Sequence, residues 1–490
     1  MEKKFFGHPR GLSTLFFTEM WERFSYYGMR ALLLLYMVTT VEDGGLGFDE
    51  KTSGAIYGLY TMMVYLLALP GGWMADNVLG LRKSVFYGGC IIALGHFLLL
   101  FTAKESFFLG LFFIVVGTGM LKPNISSLVG ELYSRDENAR RDAGYSIFFM
   151  GINIGAFLAP FITGYFGEKI DWHYGFAIAG IGMVLGVIQF RLSEHRLGEA
   201  GAVPVKTREE QRKNRLLLLL VTVAVALLVI FLIFGIIIAD PVVIANLSAY
   251  VIAGSTLLYF GFLLFVIKLE RSERNGVIAI AAFFMASVIF YMGYEQAGSS
   301  LNLFALRYTD MSLGNFEMPA SWLQAVPAVS VLIFTPFFAW LWVRLSKQNL
   351  NPPTAVKLSM ALVFVAASYL LMYSAALVVA GGEKALPTWL IMTYVLETLG
   401  EICLYPVGLS AVKKLAPRQF SAQLMGVWFM SLALGNLLAG LVAGEMDAAR
   451  IAADPNLLVN LFLRTAIIVL IAAIAIFALN KFLTRLTVKI

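Results

Sequence analysis

Charged residues are scarce in this chain, and that scarcity excludes most classes of protein. Only 14% of the 490 residues are Asp, Glu, Lys or Arg, while 59% are hydrophobic, and the mean hydropathy is +0.78. A soluble protein needs a more polar surface than this composition supplies. Apolar runs at 84–103, 216–239, 247–267 and 465–480 each approach the ~20 residues that a membrane-crossing helix needs. The sequence therefore predicts an all-α polytopic membrane protein.

Cysteine and histidine are scarce as well, with two and four residues respectively. Cys90 and Cys403 lie in distant apolar segments, so no disulfide framework is expected. The four histidines lack ligand spacing, so we expect no metal and no cofactor. The net charge of +6 is spread over many short loops, which argues against a nucleic-acid partner. The basic N-terminus has no small-residue cleavage site, so we expect no removed signal peptide.

Apolar runs and their Gly, Pro and charged breaks divide the chain into about fourteen predicted helices. Loops rich in Lys and Arg alternate with acidic or nearly neutral loops, which places both termini in the cytoplasm by the positive-inside rule. The predicted helices are 14–41, 52–76, 82–103, 106–130, 142–167, 172–192, 215–239, 247–269, 275–304, 320–345, 354–380, 386–414, 421–446 and 457–485.

The longest hydrophilic interruption, residues 194–214, separates two groups of six predicted helices. We predict an N-terminal six-helix bundle over 1–193, a cytoplasmic linker with two additional transmembrane helices over 194–274, and a C-terminal six-helix bundle over 275–490. The added pair carries almost no intramembrane charge, which favours an insertion that faces lipid. Two six-helix halves built from three-helix repeats are the organisation of the major facilitator fold, whose substrate site lies between the halves.

The stretch TEMWERFSYYGMR, residues 18–30, places charges inside the first predicted span. Glu19, Glu22, Arg23, Tyr26 and Arg30 follow one another at spacings that put them on one stripe of a helix. A charge inside a span costs at least ~2.5–3.5 kcal/mol, so it normally faces a wet cavity or an ion partner. The stripe therefore predicts a water-filled interior.

Other charges lie deep in later apolar spans, and Glu397 is one further acid of this kind. Any single pair could be a static ion pair between helices. The set, however, has four acids against three bases, and a buried acid without a permanent basic partner can carry a proton. The acids are Glu19, Glu22, Glu295 and Glu401, and the bases are Arg23, Arg30 and Lys122.

Four segments together resemble the signatures of the proton-coupled oligopeptide transporter family (POT, or PTR) of the major facilitator superfamily. The pattern ExxERFxYYG runs from Glu19 to Gly28, and GGWMADNVLGLRK is similar to the superfamily's cytoplasmic loop motif. YSIFFMGINIGAF, centred on Asn153, and GEICLYPVGLSAVKKLAP, residues 400–417, resemble the fifth- and tenth-helix motifs. The resemblance is to bacterial members, which commonly carry two inserted helices.

The resemblance implies coupled uptake of a proton with a di- or tripeptide by alternating access. It implies that Arg23, Arg30 and Lys122 receive the peptide carboxylate, and that Glu401 with Asn153 receives the amino terminus. Taken alone, Tyr65, Tyr291 and Trp322 are more typical of core packing or interfacial belts than of a binding site, whereas Trp428 is as typical of a cavity lining as of a core. Gln324 and Tyr291 stand where members often have Asn and Trp. The residues implied around the peptide backbone and side chains are Tyr26, Tyr27, Tyr65, Tyr291, Trp322, Gln324 and Trp428.

Proton coupling is assigned to Glu295, with Glu22 as the competing carrier and Glu19 beside it. We expect ionised Glu295 to pair with Arg30 and hold the outer gate closed until protonation releases Arg30 toward the peptide. Lys122 and Glu401 are a second candidate gating pair. Asp76, in the loop between the second and third spans, is either a cytoplasmic latch or part of an ordinary turn.

Three other functions fit the sequence less well. Transport of nitrate or another small anion on the same fold would suit the three bases but would leave Glu401 without a purpose. An intramembrane enzyme would need a nucleophile with a base, or a set of metal ligands, and the spans contain neither. A channel would need a repeated pore loop, and the sequence shows none. The expectation is therefore a monomeric multi-pass transporter of a bacterial inner membrane, whose partners are peptides, protons and the lipid bilayer.

Overall fold

The computed structural model describes residues 5–134, 137–202, 207–233 and 240–487. Within these ranges the chain forms eighteen α-helices. They are α1 (Gly11–Val38), α2 (Glu50–Leu66), α3 (Ala68–Met74), α4 (Leu81–Leu98), α5 (Lys104–Glu131), α6 (Asn138–Lys169), α7 (Trp172–Ser193), α8 (Arg208–Ile233), α9 (Pro241–Gly261), α10 (Arg271–Tyr294), α11 (Ser300–Tyr308), α12 (Val326–Lys347), α13 (Thr354–Ala380), α14 (Pro387–Leu415), α15 (Ser421–Ala443), α16 (Ala448–Ala453), α17 (Asn456–Ala478) and α18 (Asn480–Thr487).

A short hairpin interrupts this helical architecture between α11 and α12. Strand β1 (Ser312–Leu313) pairs antiparallel with β2 (Phe316–Glu317), with Ser312 opposite Glu317. Gly314 has a φ of +64°, which the tight turn requires and which a glycine adopts without strain. The sequence predicted only a loop here, because two-residue strands are too short to show an alternating pattern.

Among the described residues, twelve helical segments are long and apolar enough to cross a membrane. Helices α1 and α4 do not belong to that set. The charges that begin at Glu19 make α1 too polar, and Arg82, Lys83 and His96 lower the hydropathy of α4. The predicted all-α multi-span fold is confirmed and the count of fourteen is approximate. Residues 234–239 of the predicted span 215–239 lie outside the described ranges.

Three of the predicted helices are interrupted: the one over 457–485 breaks at Leu479 between α17 and α18, and the other two break where the residues weaken a helix. The predicted helix over 52–76 breaks between α2 and α3 at Leu67, because Pro70 has no N–H to donate to the carbonyl four residues earlier. The predicted helix over 275–304 breaks after Tyr294, where a 3₁₀ turn spans Glu295–Gly298. Glycine and serine are weak helix formers, and Gly298 is followed by two serines.

The chain divides into two compact units. Unit 1 comprises Met1–Tyr36 and Met63–Asp240, and unit 2 comprises Met37–Met62 and Pro241–Ile490. Most of α2 therefore belongs to unit 2, and the two added helices are divided, with α8 in unit 1 and α9 in unit 2. The division into 1–193, 194–274 and 275–490 stays a prediction.

Glycines bring helices into close contact inside each unit. In unit 1, a Cβ added to Gly88 of α4 would lie 2.7 Å from the carbonyl oxygen of Gly117 of α5. In unit 2, a Cβ on Gly54 of α2 would lie 2.3 Å from the carbonyl oxygen of Gly440 of α15. Small residues allow the backbones of two helices to approach closely. The hydrophobic effect does not drive helices together in lipid, so this close packing is what stabilises their association.

Helix α8 exposes most of its apolar side chains. Helix α9 is held to the rest of unit 2 in part by Tyr259, whose hydroxyl donates to the side-chain oxygen of Gln423 at 2.7 Å. Exposure of apolar side chains is what a helix that faces lipid requires, and the lipid-facing role of the pair stays a prediction.

Candidate functional site

The charged stripe of α1 forms a buried ion cluster in unit 1. The Arg23 guanidinium Nε lies 3.1 Å from Oε1 of Glu19 and is also hydrogen-bonded to Glu22. All three side chains are at most 4% exposed. Oε2 of Glu19 and Oε1 of Glu22 have no hydrogen-bond partner among the described residues. One base therefore stands between two acids, and the cluster retains an excess of acceptor oxygens that a proton can satisfy.

Lys122 of α5 supplies a second positive group in unit 1. Its Nζ lies 4.3 Å from the centre of the Tyr65 ring, within the range of a cation–π interaction. It also interacts electrostatically with Glu19. Lys122 is only partly buried, so the ammonium group can bind an anion that enters from water. The structure thus brings Lys122 and Tyr65 together, and their roles toward a peptide stay predictions.

The aromatic part of the α1 signature packs beside the ion cluster. The Arg23 guanidinium lies 5.2 Å from the ring centre of Tyr26, and the rings of Tyr26 and Tyr27 meet edge-on with centres 5.2 Å apart. Arg30, two turns after Arg23, is buried. Asn153 lies on α6, where its amide nitrogen donates to the carbonyl of Phe149 in the same helix at 2.9 Å. Its amide oxygen is therefore the atom that can accept from a ligand.

In unit 2, the carboxylate of Glu401 is held by a tyrosine that the sequence reasoning did not single out. The hydroxyl of Tyr294 donates to Oε2 of Glu401 at 2.5 Å. Tyr294 stacks on Phe290 and meets the ring of Tyr291 nearly perpendicularly, with centres 6.2 Å apart. The signal for Tyr294 was its position three residues after Tyr291, which places the two on neighbouring parts of one helix face.

Three further candidates of unit 2 are polar or aromatic side chains, of which Trp428 is buried while Trp322 and Gln324 are half-buried. Trp322 packs against Phe316 of the hairpin with ring centres 5.7 Å apart. The amide nitrogen of Gln324 and the indole nitrogen of Trp428 are buried and have no hydrogen-bond partner among the described residues. Buried donors of this kind normally find a partner, so each of these side chains retains an N–H group that can still donate a hydrogen bond.

Glu295 is placed at the break between α10 and the 3₁₀ turn, and it is 4% exposed. The predicted pairs Arg30 with Glu295 and Lys122 with Glu401 each take one residue from each unit and stay predictions.

Asp76 lies outside these clusters. It is exposed within a π-helical segment, Ala75–Leu79, that ends at Gly80. The neighbouring base Arg82 donates to the backbone carbonyls of Gly198 and Ala200 in the segment after α7. Arg82 thus anchors the linker, and the latch role of Asp76 stays a prediction. Among the described residues, no group of three or more His, Cys, Asp or Glu side chains could hold a metal ion.

Comparison with known proteins supports the signatures found in the sequence. The PTR2 model, described as the POT family, matches residues 82–457. The chain is 40% identical to the peptide transporter YePEPT of Yersinia enterocolitica, over 99% of this chain and 96% of that protein. It is 35% identical to a di-/tripeptide transporter of Lactococcus lactis, over 99% and 98%. A crystal structure of a peptide transporter POT in complex with sulfate superposes with a TM-score of 0.90 at 38% identity, over 99% and 97%.

Proposed function

Because this chain belongs to the POT family, we propose that it is a secondary active transporter that takes up di- and tripeptides together with protons. The observation that carries this function is the sign of the charged side chains that lie within the helices of each unit. Unit 1 holds Lys122, Arg23 and Arg30, and unit 2 holds Glu401. A peptide is a zwitterion, and fixed opposite charges in a site of low dielectric constant bind its two ends selectively.

Lys122, with Arg23 and Arg30, binds the peptide carboxylate in this proposal, and Glu401 with Asn153 binds the amino terminus. Arg23 is already compensated by two acids, so Lys122 carries the larger share of carboxylate recognition. Side chains are tolerated loosely because affinity comes from the termini. The residues assigned to the peptide backbone and side chains are Tyr26, Tyr27, Tyr65, Tyr291, Trp322, Gln324 and Trp428.

Blocked peptides test the assignment of the two ends. We expect Lys122→Ala to weaken binding of a free dipeptide much more than binding of its C-terminal amide. Glu401→Gln should weaken binding of the free dipeptide much more than binding of its N-acetyl derivative. Competition against labelled dialanine in proteoliposomes measures both. If each variant weakened free and blocked peptides equally, the assignment would be wrong.

Glu295 is the proposed proton carrier, with Glu22 and Glu19 as the competing acids. Glu295→Gln imitates the protonated form, so it should exchange peptide across the membrane but not concentrate it when an inward proton gradient is imposed. Glu22→Gln is the comparison variant, because it removes the competing acid in the α1 cluster. Accumulation by Glu295→Gln together with loss of accumulation by Glu22→Gln would move the proton site to Glu22 and its coupled neighbours.

The transporter acts in this proposal as a monomer in a bacterial inner membrane, with both termini cytoplasmic, with the proton as coupling ion and without a cofactor. Cysteines introduced at the exposed positions Glu42 and Glu199 should be labelled from opposite sides by an impermeant maleimide, after replacement of Cys90 and Cys403. Labelling of both from the same side would overturn this topology. Nitrate transport is not favoured, because the relatives from Yersinia enterocolitica and Lactococcus lactis are named as peptide transporters.

A further inference from the structure

Glu397 of α14 is a buried carboxyl group that the proposed function does not use. It is 1% exposed and lies one helical turn before Glu401. Among the described residues, no lysine, arginine or histidine forms an ion pair with it. Its Oε2 atom has no hydrogen-bond partner there either. A carboxylate in such surroundings has lost its water without gaining a cation.

Two hydroxyl groups beside Glu397, those of Ser368 and Tyr369, make shorter hydrogen bonds to backbone carbonyls. Ser368 of α13 is the near neighbour, with Oγ 3.5 Å from Oε1 of Glu397, but this hydroxyl donates to the carbonyl of Val365 at 2.8 Å. The hydroxyl of Tyr369 donates to the carbonyl of Gly293 at 2.9 Å. A hydroxyl has one proton and two acceptor lone pairs, so Ser368 can accept a hydrogen bond from Glu397.

Glu397 can donate that hydrogen bond only when it carries a proton. The titratable groups nearest to it are Tyr369 of α13, Glu295 just after α10, and Tyr394 and Glu401, which lie one turn before and one turn after it on α14. None of these groups is a cation, and an ionised Glu295 would repel a second negative charge. Both the hydrogen-bond geometry and the charge of the surroundings therefore favour the protonated form of Glu397.

We propose that Glu397 is a second proton-binding site of the transporter, which holds a proton in this conformation and releases it through Glu401. The step is the association of one proton with one carboxylate oxygen and its later dissociation, with no other bond changed. Glu401 is the exit because it lies four residues further on the same helix face and is partly exposed. This inference rests on the proposed function, and it adds one proton to each transport cycle.

Two measurements on Glu397→Gln test the proposal. The first is the infrared carbonyl band of a protonated carboxylic acid in the purified protein at neutral pH, which the variant should lose. The second is the number of protons carried per peptide, measured as the reversal potential in proteoliposomes, which should fall by one. In a gradient of one pH unit, the maximum accumulation of peptide then falls about tenfold. Exchange of peptide without a gradient should persist. Glu383→Gln, at an exposed acid in the loop before α14, is the control that should change neither quantity.

Each outcome decides a separate claim. An unchanged infrared band shows that Glu397 is not protonated and overturns the proposal. A lost band with an unchanged number of protons per peptide shows a static proton and overturns it as well. If Glu397→Gln does not fold, Ser368→Ala replaces it as the test. Ser368→Ala removes the acceptor of the Glu397 proton, so the infrared band should titrate at lower pH. An unshifted titration overturns the proposal. Failure of the unmodified protein to exchange any peptide would instead reject the proposed function, and the infrared band would still report on Glu397.

Discussion

Arg307 at the end of α11 and Glu50 at the start of α2 form an ion pair in unit 2, with Nη2 2.8 Å from Oε1. Arg307 also donates to the carbonyl of Met446 at 2.9 Å, and Glu50 accepts from the amide of Ala448 at 3.3 Å. The two side chains are only 20% and 13% exposed. They join the segment 37–62 to the remainder of unit 2 through partners that are distant in sequence.

We predict a measurable coupling between these two charges. Arg307→Gln and Glu50→Gln should each lower the thermal stability of the purified protein, because each leaves the opposite charge partly buried and unpaired. The double variant should be less destabilised than the sum of the two single variants, with a coupling energy of about 1–3 kcal/mol. Additive effects would show that the pair contributes nothing to stability.

Gly54→Ala and Gly254→Ala should change stability in opposite directions. The Gly54 methyl group would lie 2.3 Å from the carbonyl oxygen of Gly440, so α2 and α15 must move apart, at a cost of about 1–3 kcal/mol. Gly254 of α9 has open space around its added Cβ. Alanine there should stabilise the helix by up to about 1 kcal/mol. Melting temperatures in detergent measure both, and equal shifts would contradict the packing argument.

Tyr294→Phe tests the residue that holds Glu401. Loss of a hydrogen bond to a charged group costs about 1.5–3 kcal/mol, and Glu401 would be less well oriented for a peptide amino group. We expect the apparent affinity for free dialanine to fall about tenfold or more, while that for N-acetylated dialanine changes little. Tyr250→Phe, at an exposed tyrosine of α9, is the matched control. An unchanged affinity would show that Tyr294 does not support the site.

Asp49 should give the protein a pH-dependent stability at the start of α2. Desolvation acts to raise the pKa of Asp49, but hydrogen bonds from the amide and hydroxyl of Thr52, at 2.9 and 2.7 Å, outweigh it and hold the pKa below its usual value. A lowered pKa in the folded state stabilises the protein above the pKa of the unfolded chain, about 3.9, and this contribution disappears as the pH falls through the folded-state value.

Two substitutions separate the cap from the charge at this position. Asp49→Ala should lower stability at neutral pH by about 1 kcal/mol, because the helix loses its N-terminal hydrogen bonds. Asp49→Asn keeps a capping oxygen, so it should retain most of the stability at neutral pH and lose only the acid dependence. Melting curves from about pH 7 down to about pH 2.5 measure both, because this range includes the unfolded-state pKa and the lower folded-state pKa. A similar acid dependence in Asp49→Asn and the unmodified protein would exclude Asp49 as its source.

Much of the membrane architecture was predictable from the sequence, because lipid imposes a simple rule. Backbone groups must be paired inside the bilayer, so long apolar runs become helices regardless of their neighbours. The same rule makes an intramembrane charge conspicuous, which is why Glu19, Glu22, Arg23 and Lys122 could be selected from the printed chain. The match of four local signatures to the POT family also required no coordinates.

Tertiary structure alone decided which partners each charged group receives. Spacing placed Glu397 and Glu401 on one helix face, but only packing against α13 and α10 leaves Glu397 without a cation while Tyr294 binds Glu401. The helix break at Glu295 and the membership of residues 37–62 in unit 2 are also outcomes of packing. The physical reason is range: helix formation depends on residues within a few positions, whereas the cost of a buried charge depends on atoms brought near by distant segments of the chain.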